Sequence, residues 1–225
     1  MRKPLFLFAF LSLFVFTSYA QNTTDGFKPT AGDYTTEVNL NLFNNNGGFS
    51  LNQIRLRHFT SPTTALRLGF SGSFNSNKDE RLQNNFKSFG LSINPGFEKH
   101  FAGTTRLSPY LGAELALSTS FAKQELTRRF VNYEVKNGQM SFDGNSQNIS
   151  YDAYSQIGVN ALAGVDYYFA KRFYAGIELG YGFYYTKAKD VEVKQSGNTI
   201  LTAKGESNIN INPFVNNGLR VGIIF

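Results

Sequence analysis

The sequence Gly218-Leu-Arg-Val-Gly-Ile-Ile-Phe225, which ends the chain, alternates between apolar residues and polar or small ones. Three earlier segments also finish on a phenylalanine after an alternating run, namely Ile54–Phe59, Gly96–Phe101 and Gly164–Phe169. Because side chains alternate across a β-strand, each segment predicts a strand with one apolar and one polar face. An aromatic residue at the same end of every second strand is typical of a membrane barrel at its water interface.

The N-terminus has the pattern of a secretory signal. Arg2 and Lys3 precede the apolar run Leu5–Phe16, and Ser18-Tyr19-Ala20 provides a small-x-small cleavage pattern. The apolar run is too short to span a bilayer as a helix, which needs about 20 residues. We therefore predict a cleavable signal peptide at 1–20, a periplasmic N-terminal segment at 21–32 and a barrel at 33–225.

Composition excludes several classes of protein. The chain has no cysteine, so disulfide scaffolds and thiol chemistry are excluded. Removing Arg2 and Lys3 with the signal lowers the 22 basic residues to 20, against 16 acidic ones. A net charge of +4 is too small to indicate a nucleic-acid partner. After the signal no apolar stretch approaches the length of a helical membrane span, so a membrane protein of this sequence must cross with strands.

Eight alternating segments follow the signal. The first lies at about 33–43, and the second ends at Phe59. The next five lie at about 64–74, 89–101, 107–117, 155–169 and 173–185, and the eighth ends the chain. Phe59 is one step out of the alternation of its segment and is assigned to the following turn.

The connections between these segments alternate in length. Those after the second, fourth and sixth segments are a few residues long, whereas 75–85, 121–150 and 186–208 are longer. Outer-membrane barrels have this asymmetry, with short periplasmic turns and long external loops. The prediction is an all-β protein, an eight-stranded antiparallel up-and-down transmembrane β-barrel in the outer membrane, with both termini in the periplasm.

The polar face of the segments is rich in Gly, Ser and Asn and has few Lys, which favours a lumen over a water-exposed surface. Its charged residues nearly balance, with five acids and four arginines: Glu37, Glu98, Glu114, Asp166, Glu178, Arg55, Arg57, Arg67 and Arg220. An eight-stranded barrel has room only for its own side chains. We therefore predict a closed plug of paired charges, with an ion pathway as the alternative.

The sequence gives no indication of a catalytic or metal site. His58 and His100 are the two histidines, both beside predicted periplasmic turns and without metal-ligand spacing. A lipid-modifying enzyme of the outer leaflet would need a histidine near the external loops. No enzyme activity, metal or cofactor is predicted.

With the signal, the eight segments and the C-terminal sequence, the chain resembles the small outer-membrane β-barrel proteins of the OmpX and OmpA transmembrane-domain type. The resemblance implies contact with outer-membrane lipid and lipopolysaccharide. It also implies that the assembly machinery reads the C-terminal strand, with Phe225 as the key residue after Leu219, Val221 and Ile223. Such a likeness specifies architecture and is silent on activity.

The two longest loops are the predicted sites of function. In 121–150, Asn137-Gly138 stands between alternating runs and predicts a hairpin. In 186–208, Val191–Val193 and Ile200-Leu201 flank Gly197 and predict a second pair of strands. We expect a structural or surface-interaction role, with an extracellular partner bound through these loops. A small channel or transporter and a lipid-modifying enzyme are the alternatives.

Overall fold

A computed structural model describes residues 26–41, 50–81, 83–143, 146–215 and 219–225. The predicted signal peptide lies outside these residues. They form fourteen β-strands: β1 (Tyr34–Asn41), β2 (Ser50–Ser61), β3 (Thr64–Asp79), β4 (Asn84–His100), β5 (Leu107–Arg128), β6 (Val131–Lys136), β7 (Gly138–Asp143), β8 (Ser146–Tyr151), β9 (Tyr154–Ala170), β10 (Phe173–Ala188), β11 (Val191–Gln195), β12 (Asn198–Ala203), β13 (Ser207–Val215) and β14 (Leu219–Ile224).

A closed antiparallel ring forms the barrel. The order around it is β1-β2-β3-β4-β5-β9-β10-β14, and β14 pairs with β1 to close it. The eighth wall has two parts, because β14 pairs with the first residues of β10 and β13 pairs with Leu179–Lys187 farther along the same strand. The predicted eight-stranded barrel is confirmed, with β13 and β14 in the place of one strand.

Several strands run farther than the sequence pattern predicts. The predicted loop 75–85 is mostly strand, because β3 and β4 stay paired out to Asp79 and Asn84. At this end of β3 both faces meet water, so apolar alternation is not required there and the pattern disappears while the backbone ladder continues. The assignment of Phe59 to a turn is also wrong. It lies within β2, 1% exposed, on the inward face with Arg57.

The outer surface of the ring is an apolar belt. Exposed aromatic residues mark its two edges, with Tyr34, Phe101, Phe169, Phe173 and Phe225 at one and Phe74, Phe89, Phe121 and Tyr185 at the other. From Phe173 to Tyr185, β10 rises about 28 Å at a tilt of about 45°, close to the belt of about 25 Å in known barrels. No helix among the described residues is long and apolar enough to cross a membrane.

Candidate functional site: closed lumen and external crown

The charged residues that the sequence pattern assigns to the lumen all point inward and are buried. The most exposed of the nine is Glu114, at 7%. They are Glu37, Arg55, Arg57, Arg67, Glu98, Glu114, Asp166, Glu178 and Arg220. Their inward direction follows from strand register, since each occupies the face opposite to the lipid-facing belt.

Arg57 and Arg220 join carboxylates from different strands. Arg57 donates to Glu98 at 2.9 Å and to Asp166 at 2.8 Å. Arg220 binds Asp166 at 3.0 Å and Glu37 at 3.1 Å. Because a guanidinium presents five donors, one arginine can satisfy acids on several strands at once. These contacts hold β1, β2, β4, β9 and β14 together across the lumen.

Arg67 and Arg55 complete the network on the other side of the lumen. Their contacts are Arg67 with Glu178 at 2.8 Å, Glu98 at 2.9 Å and Glu114 at 3.0 Å, and Arg55 with Glu178 at 3.0 Å and with Glu37. Each of the five carboxylates therefore contacts at least one arginine. Buried charge is costly unless it is paired, and here the pairs fill the space between the strands.

Neutral side chains donate hydrogen bonds to the carboxylates of the network, and glycines leave space for the large side chains. Tyr110 donates to Glu178 at 2.5 Å, and Tyr174 donates to Glu37 at 2.9 Å. Gly164 stands opposite Tyr110, and a Cβ there would lie 2.4 Å from the Tyr110 ring. Inward-facing glycine thus provides the room that a large neighbour occupies.

His100 is buried next to the charged network of the lumen, beside Glu98. Its Nδ1 lies 2.9 Å from the Ser108 Oγ and its Nε2 3.2 Å from Glu98, an arrangement in which Ser, His and an acid are connected in series. Ser108 is only 4% exposed, and Glu98 is already bound by Arg57. This geometry orients the imidazole but gives a substrate no approach to the hydroxyl. The sequence did not reveal this contact, because Ser108 carries no motif.

His58 lies apart from His100, on the outer face, where its ring stacks on Tyr34 at 4.4 Å. The two histidines therefore do not share a site. Among the described residues no group of three or more His, Cys, Asp or Glu is placed to hold a metal ion.

Aromatic residues close the end of the barrel at which the chain enters the first strand. Tyr168, Tyr174 and Ile224 form a buried cluster, and Phe27 of the N-terminal segment packs against it. Arg106 lies over the Phe27 ring, 4.2 Å from its centroid. This aromatic cluster was not predictable from the sequence, because an isolated phenylalanine ahead of the first strand shows no periodicity.

The C-terminal residues predicted as an assembly signal lie on the lipid-facing side of β14. Phe225 is 53% exposed, Ile223 39% and Leu219 38%, while Val221 is half-buried. The backbone of Phe225 exchanges two 2.9 Å hydrogen bonds with Tyr34. The apolar stripe is therefore accessible from the membrane at the seam where the barrel closes.

A second structure, here called the external crown because it lies outside the barrel, continues beyond the belt edge that Phe121 marks. It consists of β5 beyond Phe121 together with β6, β7, β8, β11 and β12. Its sheet has the order β5-β6-β11-β12. Its core is formed by Leu126, Val135, Met140, Val191 and Val193, on which Tyr133, Phe142 and Ile149 pack. The crown is thus a folded unit with its own apolar core.

The β7–β8 hairpin forms a sheet of its own that packs against the crown sheet. Gln124 anchors it, because the Met140 amide donates to its Oε1 at 2.7 Å and its Nε2 donates to the Met140 carbonyl at 3.2 Å. The predicted Asn137-Gly138 hairpin is wrong. Asn137 has a positive φ of 63°, but β6 and β7 join different sheets. β6 instead forms a hairpin with β5, and the turn of that hairpin is Arg129-Phe130.

The other external pair agrees with the sequence prediction. β11 and β12 form a hairpin whose turn contains Ser196 and Gly197, both with positive φ. On the outer face of the crown, Lys123 contacts Glu125 at 2.8 Å and Glu134 at 3.4 Å. The hydrogen bond from Lys123, and then its charge, lowers the pKa of Glu125 below its usual value, so this pair stays ionised at neutral pH.

The crown and the β3–β4 tip enclose a cleft of about 560 Å³. Its walls come from three turns, namely β3–β4, β5–β6 and β11–β12, and most of the residues that line it are polar. Tyr133 and Leu126 also line it, beside Gln83, Asn85 and Asn132. The cleft has the size of small-molecule sites, which span about 300–1,000 Å³.

No protein-family model and no curated protein sequence matches this chain. The outer membrane protein OprG from Pseudomonas aeruginosa aligns over 89% of this chain and 99% of its own, with 13% identity and a TM-score of 0.50. Ail, the attachment invasion locus protein of Yersinia pestis, aligns over 87% and 100%, with 13% identity and a TM-score of 0.37. The N-terminal β-barrel domain of P. aeruginosa OprF aligns over 88% and 100%, with 19% identity and a TM-score of 0.35.

At sequence identities this low, structural similarity shows the fold alone. The closed ring, the apolar belt and the alignment with OprG agree with one another. The chain therefore has the fold of the small outer-membrane β-barrel proteins, as its resemblance to the OmpX type predicted.

Proposed function

We propose that this chain is an outer-membrane protein whose barrel anchors a binding surface, the external crown, at the cell exterior. The observation that carries the proposal is the crown core of Leu126, Val135, Met140, Val191 and Val193. Joining neighbouring barrel strands requires only short turns. An apolar core beyond the membrane fixes the shape of a surface that faces the medium, and a fixed surface is what selective binding needs.

The outermost crown strand, β12, presents apolar side chains to the medium. Ile200 is 48% exposed and Leu201 42%, and β12 has no strand partner on its outer edge among the described residues. A register shift between Val193 and Lys194 interrupts the β11–β12 ladder. Because such irregularities protect edges against further pairing, we expect the crown to contact partners through side chains rather than by strand addition.

A transport role through the lumen is disfavoured by the paired charges that fill it. Arg57 and Arg220 lie in the lumen with at most 1% exposure. We expect no stable conductance steps from the purified protein in planar bilayers. Reproducible ion-selective steps that change in an Arg67→Gln variant would replace the binding proposal with the channel alternative.

The orientation belongs to the same proposal. The short turns and both termini lie in the periplasm, and the crown faces outward among lipopolysaccharide. We also propose that Phe225 is read during assembly, on the basis of its exposure at the barrel seam. Removing Phe225 should leave unassembled chain in the periplasm. Normal outer-membrane levels with heat-modifiable gel migration in the truncated protein would contradict this role.

Excision of the crown tests the binding function. Residues 123–152 and 189–206 are each replaced by a short Gly/Ser turn, which keeps the β5–β9 and β10–β13 ladders below them. Heat-modifiable migration should persist, and adhesion of expressing cells to epithelial, matrix and bacterial surfaces should fall to the level of non-expressing cells. A control variant with Thr105→Ala, an exposed residue of the β4–β5 connection at the opposite end of the barrel, keeps the crown and should adhere normally. Unchanged adhesion after excision would contradict the proposal.

A further inference from the structure

Three lysines stand side by side on the outward face of the molecule, just beyond the aromatic edge of the belt. Lys87 is directly opposite Lys123 in the β4–β5 ladder, and Lys123 is directly opposite Lys136 in the β5–β6 ladder. On the belt side of this row, Phe89 and Phe121 form the next outward pair of β4 and β5. Since paired residues share a face of the sheet, the three lysines point outward as the two phenylalanines do. They are called the lysine row below.

The lysine row is unfavourable by itself. Like charges directly opposite each other in a sheet are destabilising, and all three side chains are exposed. Because neighbouring strands are about 4.8 Å apart, the row is about 10 Å long from Lys87 to Lys136, measured between Cα atoms. An anion placed between the ammonium groups would replace this repulsion with charge-assisted hydrogen bonds.

Nearby carboxylates compensate the row only in part, and mostly from the side away from the belt. Glu125 and Glu134 form the next outward pair beyond the row, and both contact its middle lysine. Lys136 lies 3.9 Å from Glu192 at the far end of the row. Lys87 forms no ion pair with a residue that the structure describes. An anion that approaches from the belt side therefore meets ammonium groups before carboxylates.

A fourth lysine reaches the same edge of the belt. Lys189, between β10 and β11, places its Nζ 3.3 Å from the centroid of the Phe121 ring and 3.0 Å from the Thr119 Oγ1. It too has no ion pair with a described residue. Exposed aromatic rings with lysines beside them are typical of a lipid–water interface, where the rings contact the lipid and the long lysine stems carry charge to the headgroups.

Position and charge together indicate the chemistry of the ligand. At the edge of the belt the protein meets lipid headgroups, and basic clusters there bind phosphorylated ones. A glycerophospholipid such as phosphatidylglycerol brings a single phosphate, which reaches two neighbouring lysines. A row about 10 Å long, with Lys189 beside it, matches a headgroup that carries several phosphates on a sugar frame.

We propose that the lysine row and Lys189 bind the phosphates of a membrane glycolipid that carries more than one phosphate, with Phe89 and Phe121 against its acyl chains. The inference rests on the orientation given in the proposed function, because that orientation places this edge of the belt among lipopolysaccharide, a glycolipid of this kind.

The test titrates the full-length protein in neutral detergent with bisphosphorylated lipid A, its monophosphorylated form, phosphatidylglycerol and inorganic phosphate. Native mass spectrometry counts the bound molecules. Bisphosphorylated lipid A should bind most tightly. Lys87→Gln and Lys136→Gln should each weaken its binding by about fivefold, the effect of one lysine at an anionic headgroup. Lys99→Gln is the matched control, because it removes an exposed lysine at the other edge of the belt and should leave binding unchanged.

Equal affinity for phosphatidylglycerol would overturn the choice of a headgroup with several phosphates. Equal affinity for inorganic phosphate would reduce the row to a site for a free anion. Binding of bisphosphorylated lipid A that is unchanged in the Lys87→Gln/Lys136→Gln double variant, or weakened as much by Lys99→Gln, would overturn the site itself. Heat-modifiable migration of each variant confirms that the barrel is folded.

Two further measurements separate this inference from the proposed function. If the double variant loses lipid A but adheres to cells normally, the lipid site and the adhesive surface are distinct and both proposals stand. Adhesion unaffected by crown excision would remove the proposed function alone. Because the chain has no cysteine, Lys87→Cys and Lys99→Cys can be labelled on intact cells with a membrane-impermeant maleimide. Labelling of Lys99→Cys rather than Lys87→Cys would reverse the orientation and overturn the choice of lipopolysaccharide.

Discussion

Along β5, the residues that face away from the barrel are apolar up to Phe121 and charged beyond it. On that face Leu111, Leu115, Leu117 and Phe121 are exposed, and Lys123 and Glu125 follow. The inward-facing residues change from polar to apolar. Tyr110 and Glu114 lie in the lumen, and Ala122 and Leu126 lie in the crown. One strand with one unbroken alternation therefore has opposite polarity in the barrel and in the crown.

The surrounding solvent explains this difference. In lipid, apolar side chains belong on the outside, so the polar groups of the barrel turn inward and must satisfy one another. In water the hydrophobic effect again favours an apolar interior, and the crown has one. The reversal between Phe121 and Lys123 locates, on β5, the edge of the membrane-embedded belt that faces the crown. It also predicts that the two regions depend on different interactions for their stability.

The largest effect is expected from breaking the lumen network. Arg57→Met removes the contacts to Glu98 and Asp166 and leaves buried carboxylates with fewer partners. We expect the free energy of unfolding to fall by about 3–5 kcal/mol. The chain has no tryptophan, so unfolding in urea is followed by circular dichroism and by gel migration.

Lys78→Met is the control for Arg57→Met. It breaks the exposed pair with Glu80 and should change the free energy of unfolding by less than about 1 kcal/mol. A loss below about 1 kcal/mol for Arg57→Met as well would mean that the lumen charges do not determine barrel stability.

Truncation in the crown core should have a smaller and local effect. Leu126→Ala removes a buried side chain that contacts the crown core and should cost about 2–5 kcal/mol of crown stability. Amide hydrogen exchange in β6 and β11 should accelerate, while heat-modifiable migration of the barrel is retained. If the barrel signal is lost together with the crown, the two regions are one cooperative unit and the comparison between them fails.

Placing the same charged residue on the two halves of β5 tests the boundary itself. Leu115→Arg puts a charge on the lipid face, where it should cost about 2–4 kcal/mol. Glu125→Arg puts it on the same face above the boundary and should cost less than about 1 kcal/mol. Equal costs for both variants, measured by urea unfolding in lipid vesicles, would contradict the location of the boundary between Phe121 and Lys123.

The sequence was informative where lipid constrains it. Strict alternation in β10 and β14 predicted the ring, and the same parity placed Glu37, Arg57 and Arg220 in the lumen. The partners within the lumen were not predictable, because a contact such as Arg57 with Asp166 joins residues that are distant in sequence and depends on strand tilt. For the same reason the crown cleft, which three separate turns form, has no local sequence pattern.

The turns of the crown were the least predictable part. Asn137-Gly138 has the composition of a two-residue hairpin turn, but tertiary packing places its two flanks in different sheets. The actual β5–β6 turn is Arg129-Phe130, a pair that turn preferences alone would not select. The long-range pairing of β6 with β5 and β11 therefore outweighs local preference at this position.

The smallest effect is expected from relieving the backbone strain in the β5–β6 turn. Arg129 and Phe130 have φ of 49° and 66°, a region that disfavours side chains with a Cβ, and Phe130 is fully exposed, so its ring contributes no packing. Arg129→Asn with Phe130→Gly should therefore slow amide exchange in β6 and stabilise the crown by about 1 kcal/mol. Gly197→Phe, which introduces the same strain at φ 89° in the β11–β12 turn, should destabilise it by a similar amount. If the Asn-Gly turn gives no gain while Gly197→Phe gives the expected loss, Phe130 makes a stabilising contact and the β5–β6 turn is not strained.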